Sequence, residues 1–541
     1  MKKQLIYSLI LSLGIAGSSC SNLLDTTTYG QQTSETFYKT DTQIGEALTG
    51  AYLQLRVKWN EYALDHYLIG DCTTDDALKG GGSEGDMAEM YDMEQFITQP
   101  SNAEVARRWR LLYGLVNRAN DVIYYAPSAQ GDTELLKRYV NEAKALRAFG
   151  YYFLVTSFGD VPLITEPTTP DAVTITERTP KERIYELIIQ DLTDAKNLPA
   201  KGEYSIDEQY RVTSGMARAM LAKTYMFTFN YVEAEKVLKE IVDSRKYELL
   251  PQYSYNWFKE YENSSESVFE IPNQMYNKNV GTGTNVPHFF TSRGAVAGYG
   301  GYGFHCPSQD LWDAYDADDP RLTYVFTHTG DRYAGDTQEQ NNSVSPTGYH
   351  DYKMTVPAVD KIGWDVWLIS YNIRFIRYAD ILLLYAEALN ELEDGSSYDI
   401  SSWDGSTTYS VSRDINEMKK GIRQVRRRAG VPDYTMSEYQ DRDVFRKKLK
   451  RERQIELMAE GQRYFDLRRW KDAEVEESKK NYGCNFYMSD TEEQREQFYT
   501  PIEIADLPTA FSRKLYFWPI SHDELKRNKR LTQNPGWTYN D

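Results

Sequence analysis

Residues Ser214 to Val242 read SGMARAMLAKTYMFTFNYVEAEKVLKEIV, the strongest structural pattern of the 541-residue chain. Small and large apolar residues recur there at helical spacing in two consecutive runs: Leu221, Ala222 and Tyr225, then Ala234, Leu238 and Ile241. These offsets match a tetratricopeptide repeat, in which alanines let two antiparallel helices approach closely. Because one helix pair cannot bury its apolar face alone, the pattern predicts neighbouring pairs.

Weaker versions of the same pattern predict two more helix pairs. They are Tyr139 to Phe158 with Thr179 to Leu198, and Ile376 to Leu392 with Arg413 to Ala429. One of these helices is predicted to open with Thr179 as its cap, Pro180 in its first turn and Glu182 as its capping-box acid. The periodicity therefore predicts a mainly α fold.

Three long irregular segments lie between the helices and are rich in Gly, Asn, Ser, Thr and aromatic residues. The first, second and third segments cover about Trp59 to Asn102, Pro251 to His305 and Arg332 to Ile373. Loops of this length inside a folded domain are usually functional rather than simple connections. We therefore expect a rigid helical scaffold that carries a large layer of functional loops.

The composition is that of a globular protein, with 26% charged and 41% hydrophobic residues. The net charge of −18 argues against a dedicated nucleic-acid surface, because neutralising phosphates requires an excess of Lys and Arg on the binding face. The 43 tyrosines exceed what packing alone usually requires, so part of this excess is expected in the irregular segments.

A basic stretch from Lys419 to Lys471 is predicted to be structural. Glu452, Glu456 and Glu460 recur at every fourth residue within it, a spacing that predicts a helix with ion pairs on a solvated or networked face. Single-strand binding would instead require aromatic residues interleaved with the charge on an exposed groove. The aromatic and apolar residues here are assigned to the core face: Tyr464, Phe465, Leu467 and Trp470.

The N-terminus has the features of a secretory signal. Two lysines precede an apolar run from Leu5 to Ile15, which is too short to span a bilayer as a helix, and small residues lead into Cys20. A Cys at this place predicts lipoprotein processing, with cleavage before Cys20 and acylation of its thiol and new amino group. The alternative is plain secretion with Cys20 unmodified.

Six motifs, in order along the chain, resemble those of the SusD/RagB family of Bacteroidetes. They are CSNLLD (Cys20 to Asp25), RAFGYYFLVTSFGDVPLI (Arg147 to Ile164), RYADILLLYAEALNEL (Arg377 to Leu392), IRQVRRRAGVPD (Ile422 to Asp433), RERQIELMAEGQRYFDLRRW (Arg451 to Trp470) and FWPISHDELKRNKRLTQNPGW (Phe517 to Trp537). Members of this family are surface lipoproteins that bind nutrients for a SusC-like, TonB-dependent outer-membrane transporter.

The resemblance implies a signal peptide over residues 1–19 and one mixed domain over residues 20–541. That domain would have four helix pairs of tetratricopeptide type on one side and ligand-binding loops on the other, with no catalysis and no cofactor. It would be anchored in the outer membrane by lipid such as palmitate on Cys20, face the cell exterior and deliver oligosaccharide to its transporter. A peptide ligand, a secreted glycoside hydrolase and a protein adaptor stay open as alternatives.

A glycine motif in the second segment raises the question of nucleotide binding. Gly298 to Gly303 reads GYGGYG, which fits the GxGxxG phosphate loop of dinucleotide-binding folds. That loop requires a buried strand before it and a helix that starts at its last glycine, whereas NVPHFFTSRGAVA is a poor strand and the helix capped by Ser308 starts too late. The remaining interpretations are a flexible turn and a ligand loop.

Motif spacing does not predict a catalytic or metal site. GGSEG at Gly81 to Gly85 fits GxSxG but lacks the strand and helix of a nucleophile elbow. The six histidines include no HExxH motif, and Cys72, Cys306 and Cys484 show no CxxC spacing, so neither zinc nor a disulfide framework is indicated. Two acidic groups could supply a glycosidase carboxylate pair or a calcium site, although capping or ion pairing explains the second better: Asp75 with Asp76, and Asp316 with Asp318 and Asp319.

Aromatic and polar residues of the three segments are the predicted ligand site. Sugar rings stack their CH faces on Trp and Tyr, and neighbouring polar side chains bond the hydroxyl groups. The predicted set is Trp59, Tyr62, His66, Asp75, Asp76 and Asn102 from the first segment, Tyr299, Tyr302 and His305 from the second, and Trp364 and Trp367 from the third. Trp109 and Trp312 fall in helical patterns and are assigned to the core.

Overall fold

The computed structural model describes residues 37–56, 62–168, 176–277, 280–281, 283–293, 301–327, 331, 345–355, 369–402, 405–471 and 513–537. Its helices are α1 (Asp41–Tyr52), α2 (Tyr62–Cys72), α3 (Ala88–Glu94), α4 (Ala103–Tyr125), α5 (Thr133–Phe158), α6 (Lys181–Asp194), α7 (Ser214–Phe227), α8 (Tyr231–Asp243), α9 (Val286–Phe290), α10 (Gln309–Ala314), α11 (Leu322–Val325), α12 (Tyr378–Glu391), α13 (Ile415–Ala429), α14 (Met436–Gln440), α15 (Arg442–Leu457), α16 (Arg463–Arg469) and α17 (His522–Arg527). The mainly α prediction is confirmed.

Short strands pair only two by two within the described ranges. They are β1 (Ala77–Gly80), β2 (Ser267–Ile271), β3 (Met275–Asn277), β4 (Val280–Gly281), β5 (Phe304–Pro307), β6 (Phe326–Thr327), β7 (His350–Asp351), β8 (Ile373–Arg377), β9 (Tyr398–Ser401) and β10 (Thr408–Val411). The pairs β1 with β5, β2 with β8, β3 with β4, β6 with β7 and β9 with β10 are all antiparallel. None of these small sheets forms a layer of its own.

The helix pairs predicted from the small-residue pattern are present. α7 packs on α8, α5 on α6, and α12 on α13, while α4 packs on α5 and α8 on α12 to continue the stack. Gly421 shows why small residues are needed at these contacts, because a Cβ built on it would lie 2.3 Å from the Leu382 carbonyl oxygen of α12. Only glycine lets α13 approach α12 this closely.

The predicted start of α6 is wrong in its detail. The helix begins at Lys181, and the cap position is Pro180, which makes no side-chain capping bond. Asp160 supplies the missing acceptor instead, since the Lys181 backbone N–H donates to its Oδ1 at 2.9 Å. Thr179 is held in an antiparallel bridge, where its N–H donates to the Val161 carbonyl. The cap is therefore provided by a residue 21 positions away, which sequence rules for local capping do not anticipate.

The basic stretch folds as predicted into a helix with ion pairs, but this network lies in the interior. Glu452 and Glu456 of α15 are buried, and Glu460 lies beyond the end of the helix. Arg321 contacts both glutamates, with N–O distances of 2.8 and 3.1 Å, and is itself paired with Asp319 at 2.8 Å. The segment from Asp316 to Arg321, which contains the second acidic group, is thus an ion-pairing element, and the face that it contacts is networked rather than solvated.

The core assignments made from helical patterns are confirmed except for Trp470, which is only partly buried, while Trp312 is partly buried and packs against the core. Tyr464, Phe465 and Leu467 are buried, as is Trp109. The Trp312 ring stacks on Tyr349, with 5.3 Å between ring centroids. Among the helices that the structure describes, none is both long enough and apolar enough to cross a membrane.

Candidate ligand-binding site

The three irregular segments meet at one buried histidine. His305 of β5 lies between two carboxylates, with Nδ1 at 3.1 Å from Asp351 Oδ2 and Nε2 at 3.4 Å from Asp71 Oδ2. Burial lowers the pKa of His305, but the two carboxylates outweigh burial and raise this pKa to about 9. A charged imidazolium therefore joins α2, β5 and β7, which belong to the first, second and third segments.

The β1–β5 pair brings the first and second segments side by side. Leu78 lies opposite Cys306 and Gly80 opposite Phe304 in the antiparallel register. Cys306 of β5 and Cys72 at the end of α2 are buried free thiols, and burial raises the pKa of both. Buried, protonated thiols of this kind pack as small apolar groups rather than as nucleophiles. Cys484 lies outside the described residues.

Residues 301–303 of the glycine motif are described, and local packing and backbone conformation explain why Gly301 and Gly303 are glycines. A Cβ on Gly301 would lie 2.0 Å from the Thr291 carbonyl oxygen, so this backbone passes directly over the end of α9. Gly303 has a φ of +70°, in the left-handed region that favours glycine. Close packing and a turn therefore account for both positions, whereas a phosphate loop is not needed to explain them.

Two of the predicted ligand residues are enclosed in the interior. The His66 ring is 1% exposed and stacks on Phe375 at 4.3 Å between ring centroids, and burial lowers its pKa well below the usual value. Asn102 caps α4, where its Oδ1 accepts from the N–H groups of Glu104 and Val105 at 3.0 and 3.2 Å. The structure thus gives both side chains packing and capping contacts and does not present them to a ligand.

The predicted acidic pair of the first segment is also internal. Asp75 accepts two bonds from Arg463, at 2.8 Å from Nε and 2.7 Å from Nη2. Asp76 accepts from Gln454 Nε2 at 2.8 Å, and both aspartates are buried. These contacts tie the first segment to α15 and α16, so the structure assigns the pair to holding the loop layer on the scaffold. The predicted ligand residue His305 is also buried, where it pairs with Asp71 and Asp351.

Several predicted residues cannot be placed. Cys20, Trp59, Tyr299, Trp364 and Trp367 lie outside the described residues. Tyr62 is the first residue of α2, and its side chain is outside the description. Among the residues that are described, no group of three or more His, Cys, Asp or Glu side chains could hold a metal ion.

Tyr302 is the predicted residue that remains at the surface of the loop layer. Its partly exposed ring packs on His288 and Phe289, with 4.9 and 5.0 Å between ring centroids. The Tyr302 carbonyl accepts from Arg293 Nε at 3.2 Å. Arg293 forms an ion pair with Asp86 of the first segment, and these two side chains are 38% and 31% exposed.

Tyr91 of α3 extends this surface. Its hydroxyl donates to Glu84 Oε1 at 3.1 Å, and the Lys79 ammonium lies 5.8 Å from its ring centroid and 5.7 Å from that of Phe304. Phe304 in turn lies 6.1 Å from Tyr302 between ring centroids. Lys79 and Phe304 are buried beneath these rings, and the exposed Arg293–Asp86 pair joins the first and second segments at the surface. We name this surface the tyrosine patch and define it by Glu84, Asp86, Tyr91, Arg293 and Tyr302.

The tyrosine patch combines the two kinds of contact that a sugar requires. The tyrosine rings offer apolar faces with a polar edge, and Arg293, Glu84 and Asp86 offer donors and acceptors next to them. Sequence reasoning missed Glu84, Asp86, Tyr91 and Arg293. Arg293 and Asp86 are 207 residues apart, so no local spacing could have paired them.

Comparison with known proteins shows what this architecture is similar to. The family model described as SusD family matches residues 265–537, and the one described as starch-binding associating with outer membrane matches residues 23–226. The SusD-like protein P2 of Formosa agariphila is 26% identical over 559 residues, covering 99% of this chain and 100% of that protein.

Solved structures share the fold across most of the chain. A SusD-like carbohydrate binding protein from Bacteroides fragilis matches with a TM-score of 0.74 at 22% identity, covering 92% of this chain and 100% of its own. Surface glycan-binding protein A from Bacteroides thetaiotaomicron, solved in complex with laminarihexaose, matches with a TM-score of 0.72 at 23% identity and the same coverage. Since the first family model spans half of the chain, this protein belongs to the SusD family.

Proposed function

We propose that this protein binds an oligosaccharide at the cell surface and delivers it to a SusC-like, TonB-dependent outer-membrane transporter. Lipid on Cys20 would hold it in the outer membrane, facing the exterior. Binding would use stacking and hydrogen bonding, with no bond in the ligand broken. The description of the second family model, which names association with the outer membrane, supports this location.

The main support for the proposal is the structural match to a glycan-binding protein that was solved with laminarihexaose. This match covers 92% of the chain. Fold similarity alone does not transfer a ligand, because one fold can host many functions. The tyrosine patch supports the transfer independently, since its rings and charged groups suit a polyhydroxylated ligand with apolar CH faces.

The internal position of Asp75 and Asp76 supports binding rather than hydrolysis. A glycosidase needs two carboxyl groups that flank the scissile bond and are separated by roughly 5 to 10 Å in an open cleft. Asp75 and Asp76 are instead buried against Arg463 and Gln454. The two carboxylates of the tyrosine patch are also engaged, because Asp86 forms an ion pair with Arg293 and Glu84 accepts a hydrogen bond from the Tyr91 hydroxyl.

The proposal is tested by calorimetric titration of the chain from residue 21 onward with laminarihexaose, maltohexaose, cellohexaose and xylohexaose. A tryptic digest of casein provides the peptide arm, and chromatography of each mixture after a day measures product release. We expect saturable binding of at least one hexasaccharide with no shortened products. Shortened sugar products that are no longer released by an Asp86→Asn or Glu84→Gln variant would show hydrolysis and contradict the proposal. Saturable binding of peptides and of no hexasaccharide would instead indicate a peptide-binding protein.

Variants of the patch locate the ligand. Tyr302→Ala and Tyr91→Ala are each expected to weaken hexasaccharide binding by about 1 kcal/mol or more, as truncation of a contact residue typically does. Tyr124→Ala is the matched control, because Tyr124 is 56% exposed on α4 and is not part of the patch. Equal affinities for all three variants would remove the tyrosine patch from the ligand site.

A further inference from the structure

A second concave site shares no lining residue with the tyrosine patch. It is a cleft of about 580 Å³ between three stretches of chain: the end of α1 with the turn that follows it, the turn from Ile206 to Arg211, and the end of β2. This volume is within the roughly 300–1,000 Å³ that accommodates small organic ligands. We name it the Tyr210 cleft and define it by Tyr52, Arg56, Tyr210, Arg211 and Asn372.

The rim of the Tyr210 cleft exposes apolar carbon. Ile206 is 74% exposed and Leu53 is 45% exposed, and both line the opening. They are two of only six large hydrophobic side chains that are exposed among the described residues. Exposed apolar side chains that line the same cleft are typical of contact sites, whereas isolated ones are common on any protein surface.

Polar groups of the cleft are held in fixed positions by partners behind them. Arg211 Nη1 lies 3.0 Å from Glu142 Oε2, and Arg211 Nε lies 3.0 Å from Glu208 Oε1. The Tyr52 hydroxyl donates to Glu142 Oε2 at 2.7 Å and accepts from the Val212 N–H at 2.9 Å. The guanidinium keeps donors on Nη2, and Arg211 and Glu208 are 20% and 26% exposed, so both can still reach a ligand.

The opposite wall is fixed in the same way. The Asn372 side-chain amide donates to Glu270 Oε2 at 3.0 Å, and the Asn372 N–H donates to Glu262 Oε1 at 2.7 Å. Asn372 Oδ1 accepts from the Asn273 N–H at 3.1 Å. Because both walls are positioned before any ligand arrives, little ordering of side chains would be lost on binding.

This arrangement favours a neutral sugar over an anion. The lining carries two arginines, Arg56 and Arg211, against three acids, Asp207, Glu208 and Glu270, so it has no positive excess. Each sugar hydroxyl both donates and accepts, which suits neighbouring cationic and anionic groups, and the Tyr52 and Tyr210 rings with the apolar rim suit the CH faces. We propose that the Tyr210 cleft is a second binding site, for a short neutral oligosaccharide.

The class of ligand rests on the proposed function, but the site does not. The test uses laminarihexaose, maltohexaose, cellohexaose and xylohexaose with the chain from residue 21 onward. Hydrogen–deuterium exchange, read in peptides that cover residues 49–56, 206–211 and 269–274, reports the cleft directly. Titration of Ile206→Asp, which replaces an apolar contact by a charge at a solvent-exposed rim position without disturbing the interior, and of Tyr210→Ala gives the affinity.

We expect at least one hexasaccharide to slow exchange in these three stretches, in the native protein and in Tyr302→Ala. Ile206→Asp and Tyr210→Ala should reduce this slowing and weaken binding at the cleft about fivefold or more, a change of about 1 kcal/mol. Tyr124→Ala should behave as the native protein. Ile206→Asp decides the result if Tyr210→Ala does not fold.

Each other outcome contradicts a specific part of the proposals. Hexasaccharide binding that Tyr302→Ala abolishes, with no slowing of exchange at the cleft, overturns this inference and leaves the proposed function standing. Slowing caused by the casein digest but by no sugar overturns the assignment of a sugar to the cleft. No binding of any of the four sugars contradicts both this inference and the proposed function.

Discussion

Asp351 Oδ2 lies 3.1 Å from His305 Nδ1, and this contact joins the third irregular segment to the second. On the other side of the same ring, Asp71 ties both to α2 of the first segment. The three segments are therefore joined to one another through one buried cation between two carboxylates. The stability of this junction should depend on the protonation of the His305 ring.

The first prediction concerns alkaline pH. The pKa of His305 is about 9 in the folded protein and about 6.5 in an unfolded chain. A raised folded-state pKa gives stability that is fully present below pH 6.5 and is lost as the pH rises through 9. The pKa difference corresponds to about 3 kcal/mol of the free energy of unfolding.

This loss is measured by urea unfolding between pH 6 and pH 9.5 in the native protein and in His305→Asn. Asparagine is chosen because His305 has a φ of 62° and Asn tolerates the left-handed region well. The difference between the two curves reports His305 together with Asp71 and His350, because burial raises the pKa of Asp71 and lowers that of His350, and the charge on His305 lowers the pKa of both neighbours. Two curves that stay parallel over the whole range would contradict this role.

The second prediction concerns acid pH. Burial alone would raise the pKa of Glu456, but Arg428, Arg377, Arg321 and Lys353 lower it to about 2. A depressed carboxyl pKa gives stability that is present above pH 4.5 and is lost as the pH falls from 4.5 towards 2, by about 3 kcal/mol.

Glu456→Gln should therefore lower the thermal midpoint at pH 7 and flatten the decline of stability below pH 4.5. Removing one partner of a buried ionic network costs about 3–5 kcal/mol, because the remaining charges lose their compensation. Glu134→Gln is the control, since Glu134 lies exposed on α5 in an ion pair with Lys137. Equal midpoints for the two variants would argue against the network as a stabilising element.

The third prediction separates stability from ligand affinity in the first segment. Asp75→Asn removes the carboxylate that accepts both short bonds from Arg463 and leaves only the 3.7 Å contact with Asp76, so we expect a loss of about 3 kcal/mol in the free energy of unfolding. Hexasaccharide affinity, measured by calorimetry well below the melting temperature, should stay within about twofold of the native value. A large loss of affinity with unchanged stability would instead make Asp75 a ligand contact.

The fourth prediction concerns loop aromatics that lie outside the described residues. Trp59, Tyr299, Trp364 and Trp367 were chosen from composition and position in the irregular segments. For each of these residues that stacks on the ligand, substitution by Ala should weaken hexasaccharide binding by about 1 kcal/mol or more. Four unchanged affinities would remove the set and leave the tyrosine patch and the Tyr210 cleft as candidates.

The fifth prediction concerns the lipid anchor. Cys20→Ser removes the thiol that acylation requires, so the protein should move from the outer-membrane fraction to the soluble fraction in its native host. Metabolic labelling with radioactive palmitate measures the acylation itself, and Cys72→Ser is the matched control because Cys72 is buried. Labelled Cys20→Ser protein would show that the acyl chain is attached elsewhere.

Sequence reasoning succeeded where contacts are set by local spacing. The small residues between Ser214 and Val242 predicted the α7–α8 pair, and the apolar residues of α16 predicted its buried face. It failed at the start of α6, because the acceptor comes from Asp160 rather than from Thr179. It also gave no means of separating exposed from enclosed side chains in the loops, so it grouped Tyr302 with His66 and Asn102.

The amino-acid sequence alone determined the helical scaffold and the resemblance to the SusD family, because helical periodicity and small-residue contacts repeat within some thirty residues of chain. Only the tertiary structure decided which loop residues meet. Arg293 reaches Asp86 across 207 residues, and His305 reaches Asp71 and Asp351 from two other segments. Such partners depend on how the scaffold folds the chain back on itself, and the burial that results turns predicted ligand residues such as Asp75 into structural ones.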